Sequence, residues 1–147
     1  MNWSWLRFAE LGVDNLYDSL ALRSRVFVLE QGPYLDADGV DRQCWHLLGR
    51  DAVGRLLSYL RVVDPGVRYA EPSIGRVITA PEVRATGLGR AVMAEGLRRC
   101  QQAWPGRGIR ISAQAHLERF YNGFGFVRVG AEYLEDHIAH LEMARAA

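Results

Sequence analysis

The sequence predicts an α/β protein (α+β in some schemes) in which helices flank a central mixed sheet to give three layers. Strand-like and helical segments follow one another in the order strand, helix, three strands, helix, strand, helix, two strands. The 147 residues, 49% of them apolar, are enough to bury one core without disulfides or metals. No apolar run approaches the roughly 18 residues of a membrane span. We therefore expect one domain over residues 1–147.

The first two elements are a strand and a helix. Residues 3–8 alternate apolar and polar positions, as a half-buried strand does. Asp14 or Asn15 is suited to cap the helix that follows, because short polar side chains accept hydrogen bonds from the first helical N–H groups. The apolar positions of this helix run to about Leu29, and the Gly-Pro pair at 32–33 ends it.

The rest of the chain predicts six strands and two helices. Residues 51–54 join two strands in a hairpin, and Gly75 inside another strand indicates a bulge or a close approach by a ligand. The clearest helix runs from Leu88 to Trp104, with one apolar stripe, and Pro105 stops it. The predicted strands are 44–50, 55–63, 73–79, 109–113, 126–129 and 137–143, and the predicted short helix is 115–123.

The charges are balanced in number but unevenly placed. The 18 basic residues, all arginine, and the 17 acidic ones give a net charge of +1, which argues against nucleic-acid binding. Residues 30–41 carry four acidic residues and no basic one, whereas residues 76–110 carry seven arginines against two glutamates. One part could hold an anion while the other attracts a cation, although ordinary solvated surface explains the pattern equally well.

Several classes of site and location are disfavoured. Cys44 and Cys100 lie far apart among apolar neighbours, which predicts core positions rather than a zinc site or a disulfide. Residues 36–39 do not place ligands where a calcium loop needs them, so we expect no metal. The N-terminus lacks a basic stretch followed by an apolar one, which predicts a cytoplasmic protein with no membrane partner. Aromatic residues near the final strands would allow a homodimer.

The most informative segment is Arg84-Ala85-Thr86-Gly87-Leu88-Gly89-Arg90, between a predicted strand and the clearest helix. Its glycines allow a ligand to approach the backbone, and the first N–H groups of a helix have no internal partners and favour an anion. A P-loop is excluded because the chain has no lysine, and the third glycine of a dinucleotide fingerprint is absent. By itself the segment could also be a helix start that binds nothing.

A second motif decides between these interpretations. Arg84-x-x-Gly87-x-Gly89, followed by Phe120-Tyr121-x-x-x-Gly125-Phe126, resembles the GNAT superfamily of acyl-CoA-dependent N-acyltransferases over essentially the whole chain. Gln114 stands where many members carry Asn, and Leu117 where Ala is common. Further segments are similar to the ElaA-like branch, namely 26–31, 33–36, 73–77, 112–117 and 133–136.

The resemblance implies the acyl-CoA N-acyltransferase fold, with a mixed, mostly antiparallel sheet of about six or seven strands. Its two central parallel strands, here 73–79 and 109–113, splay apart to admit the pantetheine arm of the donor, which is expected to be acetyl-CoA. The diphosphate is expected on the N–H groups of residues 85–90. The expected donor contacts are Val77, Ile78, Thr79, Arg84, Ala85, Thr86, Gly87, Leu88, Gly89, Arg90, Gln114 and Tyr121.

The implied reaction is transfer of an acetyl group to a primary amine of a small molecule or peptide, by direct attack in a ternary complex. A backbone N–H near Val77 or Ile78 would face the thioester oxygen, and Tyr121 would protonate the departing thiolate as a general acid. The acceptor side is expected to contain Glu30 and His46 as candidate bases or contacts, together with Asp36, His116 and Glu135. The alternative is a non-catalytic acyl-CoA sensor that acts through a protein partner.

Overall fold

The computed structural model describes all 147 residues and contains eight strands and three α-helices. Strands β1 (Asn2–Arg7), β2 (Cys44–Arg50), β3 (Leu56–Val63) and β4 (Ser73–Thr79) form one antiparallel sheet in that order. In the second sheet, β8 (Ile138–Arg145) pairs antiparallel with β5 (Ile109–Gln114), β6 (Val127–Arg128) and β7 (Tyr133–Glu135). The helices are α1 (Gly12–Arg23), α2 (Leu88–Ala103) and α3 (Glu118–Asn122).

The two sheets meet where β4 and β5 lie side by side. The Arg110 N–H donates to the Pro72 carbonyl oxygen at 3.1 Å, which joins the two strands near their first residues. No ladder follows, so the predicted single mixed sheet is divided into two antiparallel sheets at this point. The predicted fold class is confirmed, and the predicted splaying of the two strands occurs toward their carboxyl ends.

The first helix differs from the prediction at its start. It begins at Gly12, before the predicted caps, because the Asn15 side chain does not accept from the helix start but donates to the Leu11 carbonyl oxygen at 2.9 Å. Beyond Arg23 it continues as a π-helical segment, Ser24–Glu30, which ends one residue after the predicted end. Widened turns of this kind are frequent beside functional sites.

Strand β7 is not among the predicted elements. It has only three residues, and the two residues that join it to β8, Asp136 and His137, both have left-handed backbone angles (φ 51° and 64°). A two-residue hairpin turn with this geometry normally carries Asn-Gly or Asp-Gly. Because neither position is glycine, the sequence lacks the usual hairpin signal.

Two apolar clusters lie on opposite faces of the first sheet, as three layers require. In the first cluster, Val92, Met93 and Leu97 of α2 pack against Leu60 and the second sheet. In the other cluster, α1 and the π-helical segment pack against the far face of the first sheet, through Leu22 and Val26 on the helical side and Leu48, Tyr59 and Ile78 on the sheet. Gly96 allows α2 to approach closely, since a Cβ atom there would lie 2.7 Å from Leu60 Cδ2. None of the helices combines the length and apolar character needed to cross a bilayer.

Both cysteines occupy the predicted kind of position. Cys44 and Cys100 are buried, and neither forms a disulfide. Burial raises the pKa of each thiol to about 12. Since the thiolate is the nucleophilic form of cysteine, neither side chain is suited to covalent chemistry near neutral pH.

Candidate active site

A cavity of about 360 Å³ opens where β4 and β5 separate. Its walls come from the middle of the π-helical segment, residues 33–38, the end of β3, β4, β5 and the β7–β8 hairpin, and α3 contributes Tyr121. Four of the predicted site residues line it: Val77, Gln114, Tyr121 and Glu135. The predicted residues that do not line it are Glu30, Asp36, His46, Ile78, Thr79, His116 and those at 84–90.

Strand β4 carries a bulge at the cavity. Tyr59 and Arg61 of β3 face Ile78 and Gly75 of β4, so Arg76 and Val77 together oppose a single residue and have no partner of their own. The left-handed residue of the bulge is Arg76 (φ 49°), whereas the sequence pointed to Gly75. The bulge leaves Arg76 and Val77 without a paired residue of their own on β3, at a point where both line the cavity.

Tyr121 reaches the cavity from α3 and is only 8% exposed. Its ring meets Phe120 and Phe126 edge-on, with centroid separations of 5.1 and 6.0 Å. Burial raises the pKa of its phenol to about 12. The hydroxyl therefore keeps its proton at neutral pH and can donate it to a group inside the cavity.

The segment at 84–90 presents unpaired amides. No backbone N–H of residues 85–90 finds a backbone acceptor, and the first bond of α2 runs from Ala91 N–H to Gly87 O (3.1 Å). Ala85 and Gly87 have left-handed φ angles of 62° and 87°, as in the backbone nests that bind anions. A Cβ atom at Gly87 or Gly89 would meet no atom within 4 Å, so the backbone of this segment is open on the side of these two Cα atoms.

Arg84 is paired on the surface with Glu30, where its Nη1 lies 2.8 Å from Glu30 Oε2. The hydrogen bond from Arg84 lowers the pKa of Glu30, which makes this carboxylate a poorer base. Glu30 also lies outside the cavity, so we do not retain it as a candidate base. An exposed pair of this kind contributes little to stability, so breaking it to release Arg84 costs little free energy.

Three arginines and three aspartates form a closed ring of alternating charges beside the cavity, and Asp38, Arg61 and Arg76 of this ring line it. The nitrogen–oxygen distances lie between 2.6 and 3.4 Å. The Arg23–Asp36 contact lacks the angle of a hydrogen bond, and Arg23 donates instead to the Asp36 carbonyl oxygen at 3.2 Å. In order of contact, this arginine–aspartate ring consists of Arg23, Asp36, Arg76, Asp38, Arg61 and Asp41.

The ring corrects the expectation that the acidic stretch around Asp36 and Asp38 attracts a cation. Asp36 is buried between Arg23 and Arg76, and Asp38 is held by Arg61 and Arg76. Although burial alone would raise the pKa of Asp38, the Arg61 hydrogen bond and the nearby charges hold it well below its ordinary value. Both carboxylates are already neutralised by arginine, and we exclude Asp36 from the acceptor contacts.

Both of the predicted histidines lie away from the cavity. His116 is exposed on the surface. His46 is 1% exposed, with Nε2 2.9 Å from the Asp41 carbonyl oxygen and Nδ1 2.7 Å from the Tyr59 hydroxyl. Because the carbonyl only accepts, Nε2 carries the proton and Nδ1 accepts from Tyr59. These contacts make His46 a core residue and not a base for the acceptor.

Burial lowers the pKa of His46, so the folded protein favours its neutral form. The unfolded chain takes up this proton first, and we expect the free energy of unfolding to decrease as the pH falls below about 6.5. Urea unfolding at pH 7.5 and pH 5.5 measures the change. His46→Gln is expected to be less stable at both pH values but less sensitive to pH, and an equal pH dependence in both proteins would contradict this origin.

Glu135 meets a group of polar side chains that the sequence does not single out. His140 is 8% exposed, lines the cavity and places Nε2 3.3 Å from Glu135 Oε2. Its Nδ1 lies 2.7 Å from the Ile138 carbonyl oxygen and therefore carries a proton. The His140 ring stacks on Tyr133, whose hydroxyl contacts Ser112. The sequence feature that could have pointed to His140 is the alternation of residues along β8. His140 pairs with Gln114 at the end of β5, beside the cavity.

Comparisons with known proteins identify the family and the fold of this chain. A family model described as "Acetyltransferase (GNAT) domain" matches residues 42–147. The UPF0039 protein sll0451 of Synechocystis is 46% identical over 97% of this chain and 94% of its own, and the protein ElaA of Escherichia coli is 39% identical over 99% and 96%. A crystal structure of an acyl-CoA N-acyltransferase from Pseudomonas aeruginosa, 40% identical, superposes with a TM-score of 0.93 and covers 99% of both chains.

Proposed function

Because the chain belongs to the GNAT acetyltransferase family, whose members use acyl-CoA as donor, we propose that it transfers an acetyl group from acetyl-CoA to a primary amine by direct attack in a ternary complex. The observation that carries this proposal is the cavity between β4 and β5. It brings the β4 bulge and the Tyr121 hydroxyl to one enclosed space. The acceptor is a small molecule or a peptide that enters from the side of the β7–β8 hairpin.

The donor is held at two places. Its diphosphate lies on the unpaired amides of residues 85–90, where the dipole of α2 adds to their attraction for an anion. Arg84 and Arg90 supply further positive charge. The pantetheine arm then enters the gap between β4 and β5, whose facing backbone groups offer hydrogen bonds as an added strand would. This path brings the thioester into the cavity.

The β4 bulge stabilises the charge that develops on the thioester oxygen. The Val77 N–H, which has no partner residue on β3, donates to this oxygen as the amine attacks. A donor aimed at the oxyanion contributes about 3 kcal/mol to lowering such a barrier. The departing sulfur lies beside Tyr121, which donates its phenolic proton toward the thiolate.

The acceptor amine loses its proton to Glu135 and His140. His140 Nδ1–H donates to the Ile138 carbonyl oxygen, and its Nε2 lies 3.3 Å from Glu135 Oε2. The substrate ammonium gives up a proton to this pair before the amine attacks, and the proton then bridges the two groups in a charge-assisted hydrogen bond. Asp38 also lines the cavity, but its carboxylate is already paired with Arg61 and Arg76 of the arginine–aspartate ring, so we do not propose it as the base.

Direct attack is favoured over an acyl-enzyme intermediate because the cavity holds no cysteine. Both cysteines are buried elsewhere, and their thiols have raised pKa values. Release of thiol from acetyl-CoA, measured with a panel of small amines and peptides, tests the proposed reaction. We expect release that depends on the amine. Calorimetric binding of CoA without release across a broad panel would instead support the sensor alternative.

Glu135→Gln is expected to lower kcat/KM at neutral pH by about 100-fold, because an amide cannot accept the proton of the ammonium. The defect should shrink as the pH approaches about 10, where a lysine-like amine loses its proton unaided. Steady-state rates from pH 7 to pH 10 measure both effects. Glu132→Gln, an exposed residue outside the cavity, is the matched control. A defect of the same size at every pH would contradict the role as base.

A further inference from the structure

The β4 bulge holds an arginine in a backbone conformation that disfavours it. Arg76 has a φ of 49°, although Gly75 beside it could have taken this angle without a steric penalty. A residue with a Cβ atom keeps such an angle only where its surroundings determine it. The bulge therefore depends on whatever holds the Arg76 side chain.

The Arg76 guanidinium is held on several sides. Its Nε donates to Asp36 Oδ1 at 2.9 Å, and its Nη2 donates to the Asp36 carbonyl oxygen at 3.2 Å and to Asp38 Oδ2 at 3.4 Å. The aromatic rings of Phe27 and Tyr34 flank it, with centroids 5.7 and 5.0 Å from Cζ. These contacts fix the side chain in both position and orientation.

The partners of Arg76 are fixed in turn by the rest of the arginine–aspartate ring. Asp36 contacts Arg23 at the end of α1, and Asp38 contacts Arg61 of β3. Arg23 and Arg61 are each 1% exposed, and both also bind Asp41. The bulge is thus tied through buried ion pairs to α1 and to the strand beside it.

We propose that Arg76 is a positioning residue of the acyl-transfer site. Its guanidinium, anchored by the ring, holds the backbone of residues 76–77 out of the pairing with β3, so that the Val77 N–H stays free to face the thioester oxygen. Arg76 itself does not touch the reacting atoms. This inference rests on the proposed function, since it assigns a purpose to the bulge in that reaction.

Two pairs of variants separate this role from the other roles of the side chain. Arg76→Gly and Arg76→Ala remove the same guanidinium, but only glycine accepts the left-handed angle freely. We expect kcat of the Gly variant to exceed that of the Ala variant by about tenfold. KM for acetyl-CoA should be similar in both.

The second pair keeps a polar side chain, in case the smaller residues prevent folding. Asn tolerates the left-handed region and Gln does not, although Gln reaches further toward the carboxylates. We expect Arg76→Asn to be faster than Arg76→Gln. If the Arg76 side chain only bound the acceptor or only stabilised the fold, Arg76→Gln would be faster than Arg76→Asn, and the Gly and Ala variants would have equal rates. Either of these results would overturn the proposal.

A readout without turnover separates this proposal from the proposed function. Hydrogen–deuterium exchange across residues 73–79 is measured on the free proteins. The Ala variant should differ most from the wild type, and the Gly variant should lie between the two, because it loses the guanidinium but accepts the left-handed angle freely. Equal exchange in all three proteins would overturn the positioning role. If the wild type shows no amine-dependent thiol release, the proposed reaction fails, and the exchange measurement still decides whether Arg76 sets the bulge.

Discussion

Replacing Tyr121 by Phe is expected to lower kcat by about 100-fold or more, because no hydroxyl remains to donate toward the departing sulfur. The aromatic ring stays, and with it the edge-on contacts to Phe120 and Phe126. The fold and the affinity for acetyl-CoA should therefore change little. Steady-state rates with a reactive amine, together with calorimetric titration of acetyl-CoA, measure the two effects separately.

Tyr17→Phe is the matched control, since Tyr17 lies exposed on α1 and outside the cavity. It should leave both kcat and binding unchanged. The raised pKa of Tyr121, about 12, adds a second expectation. Any loss of activity between pH 8 and pH 10 arises from another group, because this phenol stays protonated there. A Tyr121→Phe protein with the turnover of the wild type would show that the hydroxyl is not the donor.

Gly89→Glu is expected to weaken binding of CoA by at least about 100-fold, because a carboxylate would stand among the amides that hold the diphosphate. A Cβ atom at this position meets no atom within 4 Å, so we expect the variant to fold as the wild type does. Calorimetric titration of CoA gives the dissociation constant. Thermal unfolding without ligand reports whether the fold is intact.

Gly89→Ala separates the effect of charge from that of bulk. A methyl group adds no charge, and the open space accommodates it. We expect its loss of affinity to be much smaller than that of the Glu variant. Nearly normal CoA binding by Gly89→Glu would mean that the diphosphate lies elsewhere.

Helix and strand ends could be predicted from the sequence where a residue type such as proline marks them. The end of α2 lies within one residue of its predicted position, because Pro105 lacks the N–H that would continue the helix and Gly106 disfavours it. The start of α1 was misplaced because Asn15 uses its amide as a donor, a choice that only the structure reveals. The hairpin between β7 and β8 was missed because its left-handed turn residues, Asp136 and His137, are not glycines.

In the candidate site, too, residues in contiguous motifs could be predicted, whereas residues that meet only in the folded chain could not. The segment at 84–90 and Tyr121 could be found because each belongs to a contiguous motif. The arginine–aspartate ring could not, since it joins residues as far apart as Arg23 and Arg76, and a run of acidic residues looks alike whether it is solvated or paired. For the same reason His140, whose partner Glu135 depends on an unpredicted strand, was not assigned a role.

Hydrogen–deuterium exchange of the amides of residues 85–90, with and without saturating CoA, tests most directly whether the donor is anchored at the start of α2. None of these amides has a backbone partner in the structure, so exchange without ligand should be fast. Bound diphosphate should slow it by about tenfold or more, while the exposed turn at 51–54 stays unchanged. Exchange at 85–90 that is equally fast when CoA saturates the protein would contradict the proposed binding mode.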